Sequence, residues 1–139
     1  MPSPDAVEAF LERQHERARS GTGWSSAICE ARTGAGRGQI GLWPLGQGRA
    51  SVGYWVAPSS RRRGLATAAL ECLSRWAIEE LGLARLELYV EPWNTGSLRA
   101  AVTAGYEREG LMRSFREVDG RRRDMFLLAR LRPPGVPVG

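Results

Sequence analysis

Hydrophobic and polar positions change their spacing several times along the chain, and each spacing predicts a different kind of element. Near the start, apolar residues recur every three to four positions after Ser3, which can cap a helix that ends at Gly21 and Gly23. Three strand-length apolar segments follow, and the glycine-rich turns between them are typical of an antiparallel meander. We predict its strands over 24–31, 39–45 and 50–57, with turns at Gly34, Gly36, Gly38, Gly46 and Gly48.

Beyond Pro58 the spacing becomes helical, with one apolar stripe that ends before Gly82. The apolar run after it predicts a strand, and a strand joined to its predecessor by one helix is most economically parallel to it. The last part reads as a hairpin turned at Asp119-Gly120. We predict a helix over 65–81, a strand over 86–90, a short helix over 96–104 that Gly105 ends, and hairpin strands over 108–118 and 123–131.

Together these elements predict an α/β fold of the α+β type with one mixed sheet. An antiparallel meander comes first, a β-α-β unit follows, and a hairpin closes the sheet. We assign residues 1–132 to a single domain and expect the Pro- and Gly-rich tail over 133–139 to be disordered.

Charge and composition narrow the chemistry. All 20 basic residues are arginine, against 15 acidic residues, and the formal net charge is +5. Because the sequence contains no lysine, a Schiff-base lysine and a P-loop lysine are excluded, and guanidinium or backbone N–H groups must hold any anion. No apolar run is long enough to span a membrane, and the segment 1–5 lacks the apolar stretch of a secretory signal, so we expect a cytoplasmic protein without a membrane partner.

Metal binding and nucleic-acid binding find little support. Cys29, Cys72 and the single His15 are too few and too scattered for a metal cluster, and we expect both cysteines to be buried small hydrophobes. The high isoelectric point invites a nucleic-acid partner. However, the arginines of 121–123 are flanked by Asp119 and Asp124, and no segment interleaves aromatic residues at base-stacking spacing.

The most informative segment is Arg61-x-x-Gly64-x-Ala66, between a predicted strand and a long helix. Glycine lets the backbone approach a ligand closely, and the first N–H groups of a helix carry partial positive charge. Arg61, Arg62 and Arg63 add charge to this junction. The pattern is compatible with an anion site and equally with a basic helix start that faces water.

These residues resemble the GNAT family of N-acetyltransferases, whose coenzyme A signature is Arg/Gln-x-x-Gly-x-Gly/Ala at such a junction. Other segments are similar to the RimJ/RimL branch, the ribosomal-protein N-terminal acetyltransferases. They are 53–58, Asn94-x-x-Ser97, Gly105-Tyr106, Glu109-Gly110 and 119–124. The resemblance covers about Trp24 to Leu131 and implies the GNAT fold, acetyl-coenzyme A (acetyl-CoA) as the acetyl donor, and an amine as the acceptor.

The resemblance also implies a cofactor site where the third strand and the strand 86–90 separate, the usual ligand position in an open sheet. The backbone around Trp55, Val56 and Ala57 would pair with the pantetheine arm, and an N–H there, in first place that of Val56, would polarise the thioester carbonyl. Asn94 would hydrogen-bond the same arm. The pyrophosphate would lie on the amides at the start of the long helix, with the loop arginines in support: Arg61, Arg62, Arg63, Gly64, Leu65, Ala66 and Thr67.

For catalysis, the resemblance implies that Ser97 protonates the leaving thiolate, because the position of the tyrosine used by other members is Ala101 here. The competing interpretation is that Ser97 only caps its helix. Tyr106 is expected to be a core residue. The general base is open: the position of the glutamate found in other branches is Tyr89, and the candidates on this chain are Glu91 and Glu117, then Glu87 and Glu30.

Two departures from the family pattern matter. Arg62 stands where this branch usually has glycine. The strand and helix with which the family normally begins are not recognisable, so the strand 24–31 becomes a sheet edge, and we expect a homodimer to cover it. The leading hypothesis is direct acetyl transfer to a protein or peptide α-amine or to a small-molecule amine, with an inactive coenzyme A-binding module as the alternative.

Overall fold

The computed structural model describes residues 24–29, 36–56 and 64–135. The helix predicted before Gly21 lies outside these ranges. The described residues form six strands and two helices in a mixed α/β arrangement, as the sequence pattern predicted. In chain order these are β1 (Trp24–Cys29), β2 (Gly36–Gly46), β3 (Arg49–Val56), α1 (Leu65–Glu79), β4 (Arg85–Val90), α2 (Thr95–Thr103), β5 (Glu107–Val118) and β6 (Arg121–Leu131).

The six strands form one sheet in the order β1-β2-β3-β4-β6-β5. Every neighbouring pair is antiparallel except β3 and β4, which α1 joins as a parallel crossover, as expected. Hydrogen bonds hold β3 to β4 only from Arg49 opposite Arg85 to Val52 opposite Leu88. Both strands continue past this point, so the sheet opens between their C-terminal ends.

Element ends differ from the predictions where pairing or capping decides them. The helix predicted to reach Leu81 ends at Glu79, because Gly82, at φ 69°, turns the chain and the Leu83 N–H bonds back to the Ala77 carbonyl. The turn predicted around Gly36 and Gly38 is wrong, since both residues belong to β2. A Cβ at Gly38 would stand 2.0 Å from the Trp55 carbonyl oxygen, so this glycine permits a close approach of two strands.

Helix α1 is buried around most of its circumference because it packs on the sheet and against α2. Its Ala- and Leu-rich sequence favours a helix, and its side chains meet the strand residues that alternate toward it. Tyr106, just after α2, is buried as predicted, and its hydroxyl bonds Ser74 of α1 at 2.7 Å. The shared core includes Ile40, Leu42, Ala50, Val52, Leu70, Leu73, Cys72, Leu86 and Leu88.

The C-terminal hairpin turns at Asp119 and Gly120, as predicted, and both residues have positive φ. Two turn residues of this kind match the twist of the flanking strands, and β6 therefore begins at Arg121 rather than at Arg123. Arg132 is tied to the start of β4 through the carbonyls of Ala84 and Gly82. Of the tail predicted over 133–139, the structure describes Pro133 to Gly135.

Candidate active site

The opening between β3 and β4 is the candidate site. The end of β3 and the segment from Glu91 to α2 lie at this opening. The side chain of Ser97 also lies there, because it contacts the Tyr54 hydroxyl of β3. The carboxyl ends of neighbouring parallel strands are the usual place for a ligand in an open α/β sheet.

The start of α1 supplies the described part of the predicted phosphate site. Gly64 is the N-cap residue with φ 75°, and its carbonyl accepts from Ala68 at 3.0 Å. A positive φ favours glycine, so a glycine suits this position at the start of the helix. Leu65 is buried, while Ala66 and Thr67 are half-buried. Ala57, Arg61, Arg62 and Arg63 lie outside the described residues.

The end of β3 is held close to β2. Val56 is buried on the α1 side, whereas Trp55 points to the other face and is 55% exposed. On that second face, Trp43 lies across Gly41 and Gly53, where a Cβ would meet its ring. The end of β3, whose backbone is predicted to pair with the pantetheine arm, is therefore packed against β2 on one side.

Asn94 organises the entry to α2. It is the N-cap residue, and its Oδ1 accepts from the Ser97 backbone N–H at 3.2 Å, a typical capping bond. Its own N–H donates to the Glu91 carbonyl at 3.0 Å, which closes a turn after β4. The two residues of the Asn-x-x-Ser motif thus contact each other, with Ser97 on the first turn of the helix.

The Ser97 side chain bonds a tyrosine that sequence reasoning missed. Its Oγ lies 2.6 Å from the Tyr54 hydroxyl, and either atom can be the donor. The Tyr54 hydroxyl also lies 3.3 Å from the Ser97 carbonyl oxygen, to which it can donate. Burial raises the pKa of Tyr54, and the bond to Ser97 offsets part of that rise, so the phenol stays neutral at physiological pH.

A signal for Tyr54 was present in the sequence. It alternates with Val52 and Val56 on the inner face of its strand. A tyrosine at such a position needs a polar partner for its hydroxyl. Which residue that partner is depends on how α2 crosses the sheet.

Glu87 is unsuited to the role of general base. Its side chain is only 5% exposed, and it forms ion pairs with Arg49 at 3.0 Å and Arg85 at 2.8 Å. The Tyr89 hydroxyl donates to it at 2.9 Å. Although burial alone would raise the pKa, the hydrogen bonds from Arg85 and Tyr89 outweigh it and hold the pKa of Glu87 below its ordinary value.

Of the other candidate bases, Glu91 lies closer to the opening than Glu117. Glu91 directly follows β4 beside the opening, and its side chain is 21% exposed and lies 3.6 Å from Arg123. Glu117 is exposed and stands opposite Arg122 in the register of β5 and β6, next to the hairpin turn. It follows Arg116, which faces Tyr89, so strand alternation directs Glu117 to the opposite face. Glu30 lies outside the described residues.

A β-bulge in β5 directs side chains of the hairpin toward Tyr89, on the face of the sheet away from α1. Between Met112 and Arg116 the register shifts, and Ser114 has φ 49°. Its N–H donates to Asp124 at 2.8 Å, and its carbonyl accepts from Arg122 at 2.6 Å. The bulge places the Phe115 ring on Tyr89 at 4.9 Å, and bulges of this kind often direct a side chain beside a functional site.

The described residues contain no group of three His, Cys, Asp or Glu side chains that could hold a metal ion. No helix among them is long and apolar enough to cross a membrane.

Comparison with known proteins agrees with this geometry. Residues 1–107 match the family described as the acetyltransferase (GNAT) domain. The chain is 32% identical over 85 residues to the uncharacterized N-acetyltransferase p20 of Bacillus licheniformis, covering 61% of this chain and 48% of that protein. It is also 32% identical over 99 residues to the probable N-acetyltransferase YjcK of Bacillus subtilis, covering 69% of this chain and 55% of that protein.

A solved structure gives the same result. Mycobacterium smegmatis RimJ in complex with CoA-disulfide is 32% identical, with a TM-score of 0.75, covering 88% of this chain and 59% of that one. The chain spans about half the length of the curated relatives it matches. With the family match, the mixed sheet that opens between β3 and β4, and the RimJ-like motifs, this chain belongs to the GNAT acetyltransferase family.

Proposed function

We propose that this chain binds acetyl-CoA in the opening between β3 and β4 and transfers the acetyl group directly to an amine. The observation that carries the proposal is the end of β3–β4 pairing at Val52 and Leu88, beside Asn94 and Ser97. We therefore assign the motif predicted for coenzyme A and the motif predicted for the leaving group to this one opening.

The residues around this opening suit the parts of coenzyme A. Backbone N–H groups and partial positive charge at a helix start suit the pyrophosphate, and Arg61, Arg62 and Arg63 add guanidinium groups along the chain. We assign the pantetheine arm to the backbone of Trp55 and Val56 at the end of β3, to Ala57, which follows them in the sequence, and to the Asn94 side chain. In first place, we assign Val56 the N–H that polarises the thioester oxygen. The residues assigned to the pyrophosphate are Arg63, Gly64, Leu65, Ala66 and Thr67.

Ser97 is the proposed proton donor. The amine nitrogen forms a bond to the acetyl carbon, and the carbon–sulfur bond breaks with its electron pair on sulfur. Ser97 Oγ–H gives its proton to that sulfur and regains one from solvent, while the neutral Tyr54 hydroxyl donates a hydrogen bond to Ser97 Oγ and keeps the oxygen in place. The proton lost by the amine goes to a carboxylate, for which Glu91 is better placed than Glu117.

The acceptor is proposed to be the N-terminal α-amine of a protein or peptide, with a small-molecule amine as the second possibility. An α-amino group has a pKa of about 7.7–8.0, whereas lysine has about 10.4, so deprotonation at pH 7 costs about 1 kcal/mol in the first case and about 4–5 kcal/mol in the second. A site with one half-buried, loosely paired carboxylate suits the easier deprotonation. The resemblance of Asn94-x-x-Ser97 to the RimJ/RimL branch, the ribosomal-protein N-terminal acetyltransferases, supports the same class of acceptor.

A homodimer that covers β1 is also proposed. β1 is the edge of the described sheet on the meander side, and exposed edge strands invite pairing with another chain. Light scattering of the purified chain at micromolar concentration is expected to give twice the chain mass. A monomer under those conditions would contradict this part of the proposal.

The test of the function combines binding and turnover. Isothermal titration is expected to show micromolar or tighter binding of acetyl-CoA, with competition by coenzyme A. A thiol-release assay over amines and short peptides is expected to show turnover that Ser97→Ala reduces. Binding without turnover on any acceptor would favour an inactive coenzyme A-binding module, and the lack of both would reject the proposal.

A further inference from the structure

Two arginines stand opposite each other on the face of the sheet that is not covered by α1 and α2. Arg116 of β5 is directly paired with Arg123 of β6. Like charges at directly opposed positions of an antiparallel pair destabilise it, so the sheet gains nothing from this pairing. Residues that break a local rule in this way are expected at functional positions.

Both arginines point toward the end of β4. The Arg116 guanidinium lies 5.7 Å from the centre of the Tyr89 ring. Arg123 Nη1 lies 3.6 Å from Glu91 Oε1. Leu88 and Val90 are buried on the α1 side of β4, so the alternation of the strand places Tyr89 and Glu91 on the other face, away from Ser97 and the start of α1.

The hydrogen bonding of Arg123 is incomplete within the described part of the chain. Its Nε is buried and has no hydrogen-bond partner there, although the side chain as a whole is 36% exposed. Its distance of 3.6 Å to Glu91 exceeds the 2.7–2.9 Å or so that is usual for a charge-assisted hydrogen bond. A planar acceptor that could reach both Nε and a terminal nitrogen would satisfy this guanidinium.

The charges of this cluster leave room for one anion. Arg116 and Arg123 carry two positive charges, and Glu91 carries one negative charge. Arg49 and Arg85 nearby are balanced by Glu87 and Glu109, with which they form ion pairs. An acceptor carboxylate would give the second guanidinium group a carboxylate partner, while the ammonium group of the same acceptor would face Glu91.

We propose that Arg123 and Arg116 bind a carboxylate of the acceptor, so that the preferred acceptor is a primary amine with a carboxylate on the same or a neighbouring carbon. This inference rests on the proposed function. An acceptor of this kind places its ammonium group at Glu91 and its carboxylate at Arg123, and so bridges the loose ion pair. The guanidinium then turns to the carboxylate, and Glu91 is left to accept the proton of the amine.

Two sources offer this chemistry, a free α-amino acid and a peptide that begins with Asp. The test therefore uses two matched pairs, alanine against alaninamide and a peptide beginning with Asp against the same peptide beginning with Asn. The carboxamide also lowers the pKa of the neighbouring ammonium group, which works against the expected preference. The pair that shows the preference identifies the source.

The wild-type chain is expected to have at least about tenfold higher kcat/KM for the carboxylate member of one pair, expressed mainly in KM, as for loss of a charged hydrogen bond. Arg123→Gln is expected to abolish that preference by raising KM for the carboxylate member at least about tenfold more than KM for the amide member, with unchanged affinity for coenzyme A. Arg116→Gln is expected to weaken the preference. Arg113→Gln, an exposed arginine of the same hairpin, is the matched control and retains it.

The outcomes separate the two proposals. A wild-type chain that acetylates both members of each pair equally overturns this inference and leaves the proposed function standing. A preference that survives Arg123→Gln in a variant of normal melting temperature also overturns it. A wild-type chain that acetylates no amine contradicts the proposed function, and this inference with it.

Discussion

Ser97 is held at two points, and this makes its proposed role testable. Asn94 bonds its backbone N–H, and Tyr54 bonds its hydroxyl at 2.6 Å. A serine that served only as a helix residue would not need the second contact. The pair also explains why a tyrosine is tolerated on the inner face of β3.

Ser97→Ala is expected to lower kcat by about 10²-fold or more, the usual loss for a general acid, with little change in coenzyme A affinity. Tyr54→Phe is expected to lower kcat less, and the double variant no more than Ser97→Ala alone, because Tyr54 acts through Ser97. Steady-state kinetics and isothermal titration measure the two quantities. Unchanged turnover in Ser97→Ala would remove its assigned role, and additive losses in the double variant would separate Tyr54 from it.

Gly38 is the second residue whose identity the structure explains. A Cβ there would stand 2.0 Å from the Trp55 carbonyl oxygen, so β2 and β3 would have to move apart. Gly38→Ala is expected to lower the free energy of unfolding by about 1–3 kcal/mol, as overpacking does, and to weaken coenzyme A binding. Gly110→Ala is the control, since nothing lies within 4 Å of that position. Equal stability and affinity in the two variants, by denaturation and titration, would contradict the strand contact.

At the scale of elements, one buried hydrogen bond links the two helices. Ser74 of α1 and Tyr106 after α2 meet at 2.7 Å, and burial raises the pKa of Tyr106 to about 12. The bond fixes how α2 lies on α1, and with it where Ser97 stands relative to β3.

Tyr106→Phe is expected to cost about 1–2 kcal/mol in the free energy of unfolding, because it leaves the buried Ser74 hydroxyl without this partner. Adding Ser74→Ala is expected to recover part of the loss, since replacing both polar groups removes the unsatisfied one. Urea denaturation of the two single variants and the double variant measures the coupling. Strictly additive losses would mean that the bond contributes little.

At the scale of the whole molecule, an ion-pair cluster on the face of the sheet opposite α1 connects β3, β4 and β5. Arg85 bonds both Glu87 and, through two nitrogens, Glu109 of β5, while Arg49 of β3 reaches Glu87. These bonds hold the pKa of Glu109 below its ordinary value, as they do that of Glu87. The hairpin is thereby anchored to the strand that carries Glu91.

This cluster predicts a pH dependence of stability. A carboxyl group whose folded-state pKa lies below its ordinary value of 4.5 stabilises the fold above that pH, and the contribution is lost as pH falls through the folded-state pKa. Glu87→Gln is therefore expected to reduce the free energy of unfolding by about 2 kcal/mol at pH 7, with a difference from wild type that shrinks below pH 4.5. Denaturation at several pH values tests this, with exposed Glu107→Gln as the control. A difference that stays constant with pH would reject the assignment.

The resemblance to the GNAT family implied the burial of Tyr106. Local sequence patterns predicted the order of the elements, the parallel crossover and the hairpin turn at Asp119-Gly120. These last three features follow from periodicity, from glycine conformations and from amphipathic faces, all of which are local along the chain. The contact of Asn94 with Ser97 is local as well, because the two residues are three positions apart on one helix turn.

Only the tertiary structure decided which side chains meet across elements. Tyr54 and Ser97 are 43 residues apart. Burial of Glu87 against two arginines, and the direction of Glu117 away from Tyr89, depend on strand register and on a bulge that no periodicity announces. The opening of the sheet, and the two arginines at its far side, likewise depend on where pairing ends. Pairing between distant segments depends on the packing of the whole fold, so a pattern confined to neighbouring residues cannot specify it.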